Sequence, residues 1–278
     1  MLRLLNIEFQ KIKYNKSVKV ISIVYFVLIT FIALIASIEF NFASVNFRVA
    51  DQGIFNFPFI WHFNTYLAAW LKLFFAIVIV SLVANEYSYR TLKQNLIDGL
   101  SKKEFVLSKF VTVILFALAS TLFVFIITMI LGLIFSDYTE IGIIFSDLDY
   151  LLAYFIKLVG FFSFCLFLAV LVKRSAFALG FLFIWWVFEG IIYAVLKWGL
   201  FKGTEIADTI IQFFPLEAMN NLIKEPFTRL GGVQSIASQV GEDITKSYDV
   251  TFLNIAIVSI YTFLFIYWSL VILKRRDL

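Results

Sequence analysis

Six apolar runs, at about 20–38, 63–84, 110–135, 150–172, 176–196 and 250–273, set the limits on what this chain can fold into. A helix needs about 20 residues to cross a hydrocarbon core. Only helices and closed barrels satisfy their backbone polar groups inside lipid, and barrels are written in short alternating segments. Long continuous runs therefore predict an all-α membrane protein with six transmembrane helices in a single domain, 1–278. Composition agrees: 62% of residues are hydrophobic and 15% charged, which leaves too little polar surface for a protein in water. The first run lacks a small-residue cleavage site, which argues against a removable leader. Cys165, the only cysteine, lies in an apolar run and can form no disulfide within the chain.

Basic residues set the orientation. Arg3, Lys11, Lys13, Lys16 and Lys19 precede the first run. Arg90, Lys93, Lys102, Lys103 and Lys109 fill the connection between the second and third, Lys173 and Arg174 the turn between the fourth and fifth, and Lys274, Arg275 and Arg276 the tail. In a six-helix count all four groups fall on one side. The opposite side has Arg48 in its first loop and only acids (Asp137, Glu140, Asp147, Asp149) in its second. Its last segment mixes both signs. Both termini are thus expected in the cytoplasm.

The connections differ in character. Leu2, Leu5, Phe9 and Ile12 recur at spacings of three and four, with lysines largely off that stripe. This predicts a basic amphipathic helix lying along the inner leaflet, in contact with membrane lipid; the plainer reading is a positive flank that only sets topology. The segment Ile54–Phe63 reads as an aromatic belt at the outer interface, and His62, the only histidine, as an interfacial polar residue rather than a ligand. In the outer segment 201–249, Ile206, Ile210 and Phe214 form one helical stripe. Pro215 breaks it, and Leu216, Met219 and Ile223 form another. Two short outer helices before the last run are expected, followed by a solvated loop over Gln234–Tyr248.

Catalytic sets are scarce. One histidine and one cysteine cannot build a metal site, and the chain has no Gly-x-x-x-x-Gly-Lys-Ser/Thr phosphate loop. The basic residues are accounted for by topology, so nucleic acid is not an expected partner. A membrane protease or transferase is the weakest reading.

Three charges fall inside the runs: Lys72, Lys157 and Glu189. Each lysine sits about seven residues, roughly 10 Å, from the outer end of its helix. Glu189 lies about thirteen residues, roughly 20 Å, from the inner end of its own, so the three share one depth. Charges at that depth are costly and face a partner or a wet cavity. Two arrangements are open: a buried ion-pair cluster that locks the outer bundle or lines a path, or lysines that snorkel outward while Glu189 finds a serine, a tyrosine or a proton.

The connection 85–109 breaks at Asp98-Gly99, and Ser101 with Glu104 is spaced as a capping box opening the next helix. It reads either as a basic turn or as a helix-break-helix lever offered to a soluble partner. The run Glu86…Arg90-Thr91-Leu92-Lys93…Leu96-Ile97…Leu100-Ser101-Lys102-Lys103-Glu104-Phe105…Ser108-Lys109 resembles the signature after the second helix of ABC-2 type transporter permeases. It departs at Arg90, where that family commonly has Gly, and at Lys102, where Arg is common. The layout is also similar: an amphipathic start with Glu8 and Lys11, six spans, and a basic tail through Asp277.

The resemblance implies the transmembrane subunit of an ATP-driven exporter in a bacterial cytoplasmic membrane, paired with a second permease copy or paralogue and with a separate ABC ATPase subunit. This chain would bind no cofactor; ATP and Mg²⁺ would sit on the ATPase. Carried over residue by residue, it implies docking by Glu86, Arg90, Thr91, Leu92, Lys93 and Leu96. Ser101 and Glu104 would fix the following turn, and Lys173-Arg174 would make a smaller contact. An ion-coupled secondary carrier using Lys72, Lys157 and Glu189, or a non-transporting membrane scaffold, are the alternatives.

Overall fold

A computed structural model describes residues 2–35, 39–42, 45–48, 53–202, 204–240 and 246–276. The predicted end of the first span at 36–38 and Asp277 of the tail lie outside the described residues, as do the side chains of Leu2, Leu5 and Arg48.

Helix α1 (Leu2–Tyr14) meets α2 (Lys16–Ile35) at 84°, so the amphipathic start lies across the end of the first apolar helix. A short antiparallel hairpin follows, β1 (Glu39–Phe42) with β2 (Val45–Arg48). The second apolar run is two helices, α3 (Phe59–Trp70) and α4 (Lys72–Ser88), bent by 44° at Leu71. There the ladder tightens to three-residue bonds, Leu71 N to Ala68 O and Phe74 N to Leu71 O. Helix α5 (Thr91–Ile97) is the short connector to α6 (Lys102–Phe135), which at 34 residues is roughly 50 Å long. That is longer than a core of about 30 Å. Then come α7 (Ile141–Ile144), α8 (Asp149–Val172) and α9 (Ser175–Ala194). The last winds into a π-helical turn over Val195–Leu200.

Short helices α10 (Ile206–Ile211), α11 (Pro215–Asn220) and α12 (Gly231–Val240) precede the last apolar helix, α13 (Phe252–Arg275). The two predicted outer helices are thus present. The register of the first is shifted, with Ala207 and Ile211 buried and Ile206 and Ile210 exposed. The Gln234–Tyr248 loop is corrected: its first part is helix α12.

Among the described residues, four helices are long and apolar enough to cross a membrane alone: Lys102–Phe135, Ile141–Val172, Ser175–Leu200 and Phe252–Arg275. The bent pairs raise the number to six if each is one span. Helix α8 is the hub, packed by α4, α6, α9 and α13. In lipid, helix packing rests on close fit and interhelical hydrogen bonds rather than removal from water. Both are visible. A Cβ on Gly160 of α8 would stand 2.7 Å from Val258 Cγ1, so this glycine lets α13 approach. Tyr25, Ser120 and Tyr154 close a buried hydroxyl triangle between α2, α6 and α8, with Tyr154 OH 2.9 Å from each of the other two oxygens.

The aromatic segment before α3 does not face outward. Ile54, Phe55, Phe57, Ile60 and Trp61 are buried, with Trp61 stacked on Phe125 and donating to Ile144 O at 2.8 Å. The outward apolar surface is carried instead by residues such as Val27, Phe31, Leu122, Ile126, Phe183, Ile184 and Phe263.

Candidate functional site

The end of the bundle that carries the N terminus is held by four charges. Lys109, at the start of the apolar part of α6, donates to Glu8 Oε2 at 2.6 Å and to Glu86 Oε1. Lys11 donates to Glu8 Oε1 at 2.9 Å and to Glu86 Oε1 at 2.7 Å. Glu8, Glu86 and Lys109 are buried, and Lys11 is partly open. The cluster is charge-balanced, and it ties α1, the end of α4 and the start of α6 into one body. Burial opposes ionisation of Glu8, but Lys109 and Lys11 outweigh it and hold the carboxyl below its ordinary value. Burial likewise opposes the charge on Lys11, and Glu8 and Glu86 outweigh it and hold this ammonium above its ordinary value.

This arrangement reassigns Glu86. The sequence places it on a docking surface; the structure buries it, because it neutralises Lys109 and Lys11. Leu92 is buried too, anchoring α5 to the core, and Leu96 is half-buried. Arg90, Thr91 and Lys93 remain exposed. Helix α5 is set off by left-handed residues, Arg90 at φ 56° before it and Gly99 at φ 96° after it. Left-handed backbone favours glycine, which makes Arg90 a strained choice at that break. The capping box is present: Glu104 N donates to Ser101 Oγ at 3.1 Å, and Ser101 N to Glu104 Oε2 at 2.9 Å.

Lys173, itself left-handed at φ 65°, and Arg174 are exposed on the turn between α8 and α9. The Lys173 ammonium lies 5.9 Å from the Tyr87 ring, so this turn flanks the end of α4. Arg276 donates to the last carbonyls of α8, Val170 O and Leu171 O, a basic cap of a helix C-terminus. Lys102 Nζ donates to Arg276 O at 2.7 Å. Of the interfacial stripe, Phe9 is exposed and Ile12 packs on the core.

The three intramembrane charges do not form an ion-pair cluster. Glu189 is buried on α9 and accepts from Trp185 Nε1 at 2.6 Å and from the backbone amides of Leu216 and Glu217 at 3.1 Å each. The first amides of a helix lack intrahelical partners, and Glu189 supplies them to α11 from another helix. The two lysines converge on Asn220 instead: Lys72 Nζ reaches its Oδ1 at 3.4 Å, and Lys157 Nζ its carbonyl at 3.5 Å. They face an open cavity of about 1050 Å³ beneath the connection that contains α10 and α11. Lys72 also lies 4.6 Å from the Phe161 ring centroid.

His62 is fully buried rather than interfacial, and it organises the same end of the molecule. Its ring stacks on Tyr150 at 4.3 Å. Arg229, which can only donate, lies 3.1 Å from Nδ1, so Nδ1 accepts and Nε2 donates to Lys224 O at 2.8 Å. Among the described residues no three His, Cys, Asp or Glu side chains gather to hold a metal ion.

Glu8, Lys109, Asn220 and Arg229 were not singled out by spacing as site residues. Glu8 carried a signal: it falls between Leu5 and Ile12 on the apolar stripe of α1, where an acid requires a partner.

Several helices long and apolar enough to cross a membrane, with apolar side chains turned outward along them, define a multi-pass helical membrane protein. Within that class the chain belongs to the family described as "Protein of unknown function (DUF2705)", which it matches over residues 20–278. It is also similar to "Uncharacterized protein YhcI" of Bacillus subtilis (strain 168), 43% identical over 63 residues. That match covers 23% of this chain and 20% of the relative, so the shared stretch spans about a fifth of YhcI.

Proposed function

We propose that this chain is the permease subunit of an ATP-driven ABC-2 type exporter. In this reading it has six spans with both termini in the cytoplasm of a bacterium, and it associates with a second permease copy or paralogue and with a separate ATPase that carries ATP and Mg²⁺. The observation that carries the reading is α5. It is a seven-residue helix isolated by two left-handed residues, with Arg90, Thr91 and Lys93 exposed and Leu92 anchored in the core. A lever must offer a polar face to its partner and be rigidly joined to what it moves. The Glu8–Lys11–Glu86–Lys109 cluster makes that joint, so a push on α5 is passed to α1 and α6 together.

The carrier alternative requires Lys72, Lys157 and Glu189 to share an ion path. Glu189 is spent on the amides of α11, which leaves that reading second. Co-purification with an ABC ATPase co-expressed from the same genome tests the proposal. Wild type should retain the ATPase, and Arg90→Glu with Lys93→Glu should lose it while the permease itself stays folded. Retention by the charge-reversed variant would remove the docking assignment.

A further inference from the structure

The open cavity holding Lys72 and Lys157 continues into a second chamber of about 480 Å³, with Trp70, Lys72, Trp186 and Asn220 lining both. The two differ in chemistry. The second is apolar, walled by Leu73 and Ile77 of α4 and by Leu179, Leu182 and Phe183 of α9. Ligand pockets fall in the range of about 300–1,000 Å³ with mostly apolar walls and a few convergent polar groups. Here the polar groups gather at one end.

Those groups are two lysines in no ion pair, which share the cavity with the carboxylate of Glu217. Lys157 is buried, and no carboxylate lies within 4 Å of either lysine among the described residues; each has an oxygen of Asn220 as its hydrogen-bond partner, and Lys72 also lies over the Phe161 ring. The cavity's rim is self-neutralised, with Lys197 on Asp208 at 3.1 Å and Lys246 on Glu225 at 3.2 Å. Glu217 lines the cavity but makes no ion pair. Asn220 spends its side-chain oxygen on Lys72, and its amide nitrogen makes no hydrogen bond among the described residues, which adds a third donor. Charges at membrane depth face a partner, and paired lysines with an amide donor suit a phosphate oxygen set.

We infer that these joined chambers bind one phosphate-bearing anionic lipid, with its headgroup on Lys72, Lys157 and Asn220 and an acyl chain between α4 and α9. The charge complementarity fixes the headgroup, and the apolar chamber fixes the chain. The inference does not require the exporter reading, since binding is measured without ATPase or nucleotide.

The test uses delipidated full-length protein in neutral detergent, titrated with dioleoyl phosphatidylglycerol or dioleoyl phosphatidylcholine and followed by native mass spectrometry. The phosphatidylglycerol should bind about tenfold tighter, a difference of roughly 1.4 kcal/mol. Lys72→Gln with Lys157→Gln should abolish that preference. Leu73→Trp, which leaves both lysines in place and substitutes an exposed position, should weaken phosphatidylglycerol binding by narrowing the chain groove. If the double variant does not purify, Lys72→Gln alone and Leu73→Trp give the same reading. Equal affinity for the two lipids would overturn the inference. So would displacement of phosphatidylglycerol by millimolar inorganic phosphate with Leu73→Trp having no effect, which marks a free-anion site. A Leu73→Trp variant that splits a dimer yet keeps its lipid would show that a second copy covers the groove, and would overturn it too.

Discussion

Glu8 and Lys109 stand 101 residues apart in sequence and 2.6 Å apart in space, and their contact fastens the first helix to α6. Lys109 is buried and also holds Glu86. Its removal therefore strands two buried carboxylates, with Lys11 as their remaining partner. Breaking a buried pair from one side typically costs about 3–5 kcal/mol. Lys109→Ala should lower the unfolding midpoint in detergent accordingly. Adding Glu8→Ala should recover part of the loss, because one stranded charge is gone. Strictly additive losses would mean the contact carries no coupling.

The same cluster makes the docking of α1 depend on pH at both extremes. Glu8 is held below its ordinary value of 4.5, so its contribution is complete above that pH and is lost as pH falls through the lower folded value. Lys11 is held above 10.5, so its contribution is complete below that pH and is lost as pH rises through the higher folded value. Protection of the α1 amides from hydrogen exchange, taken relative to the intrinsic rate at each pH, should therefore be high and level between these limits and fall beyond each. A steep change near neutrality would contradict the assignment.

Glu189 satisfies the amides of Leu216 and Glu217 from a different helix. Glu189→Ala leaves both buried donors unmet, at about 1–3 kcal/mol for each such group, and should loosen α11 to protease. Charge reversal to lysine should not be rescued by Lys72→Glu or Lys157→Glu, because neither lysine pairs with it. Rescue at either position, read as recovered folded yield, would restore the ion-pair cluster.

How much of this was legible follows from how local each interaction is. Ser101 and Glu104 are three residues apart, and their reciprocal cap formed as their spacing requires. Apolar length located the helices, but the bend at Leu71 left no mark in composition. The loop expected over Gln234–Tyr248 begins instead within α12, which opens on Gly231-Gly232, since glycine is tolerated at a helix start. Glu86 looked like a surface acid because its partners, at positions 8, 11 and 109, come from other helices. The roles of Glu189 and His62 were illegible for the same reason: each is set by backbone groups far along the chain.

Arg90 occupies a left-handed position at the entry to α5. Left-handed backbone costs a non-glycine residue about 1–2 kcal/mol, offset in part by the greater unfolded freedom of glycine. Arg90→Gly should therefore raise the detergent stability of the isolated permease by roughly 0.5–1 kcal/mol, while weakening ATPase association through loss of the exposed guanidinium. A stability loss would show that the side chain, rather than the backbone, governs this turn.

Docking through α5 is the central claim, and site-directed labelling reaches it directly. The only cysteine, Cys165, is buried and leaves a low background. A Thr91→Cys variant places one thiol on the exposed face of α5. In the complex with its ATPase, this thiol should react with a membrane-impermeant maleimide about tenfold more slowly than in the permease alone. Equal labelling rates in the two states would contradict the account.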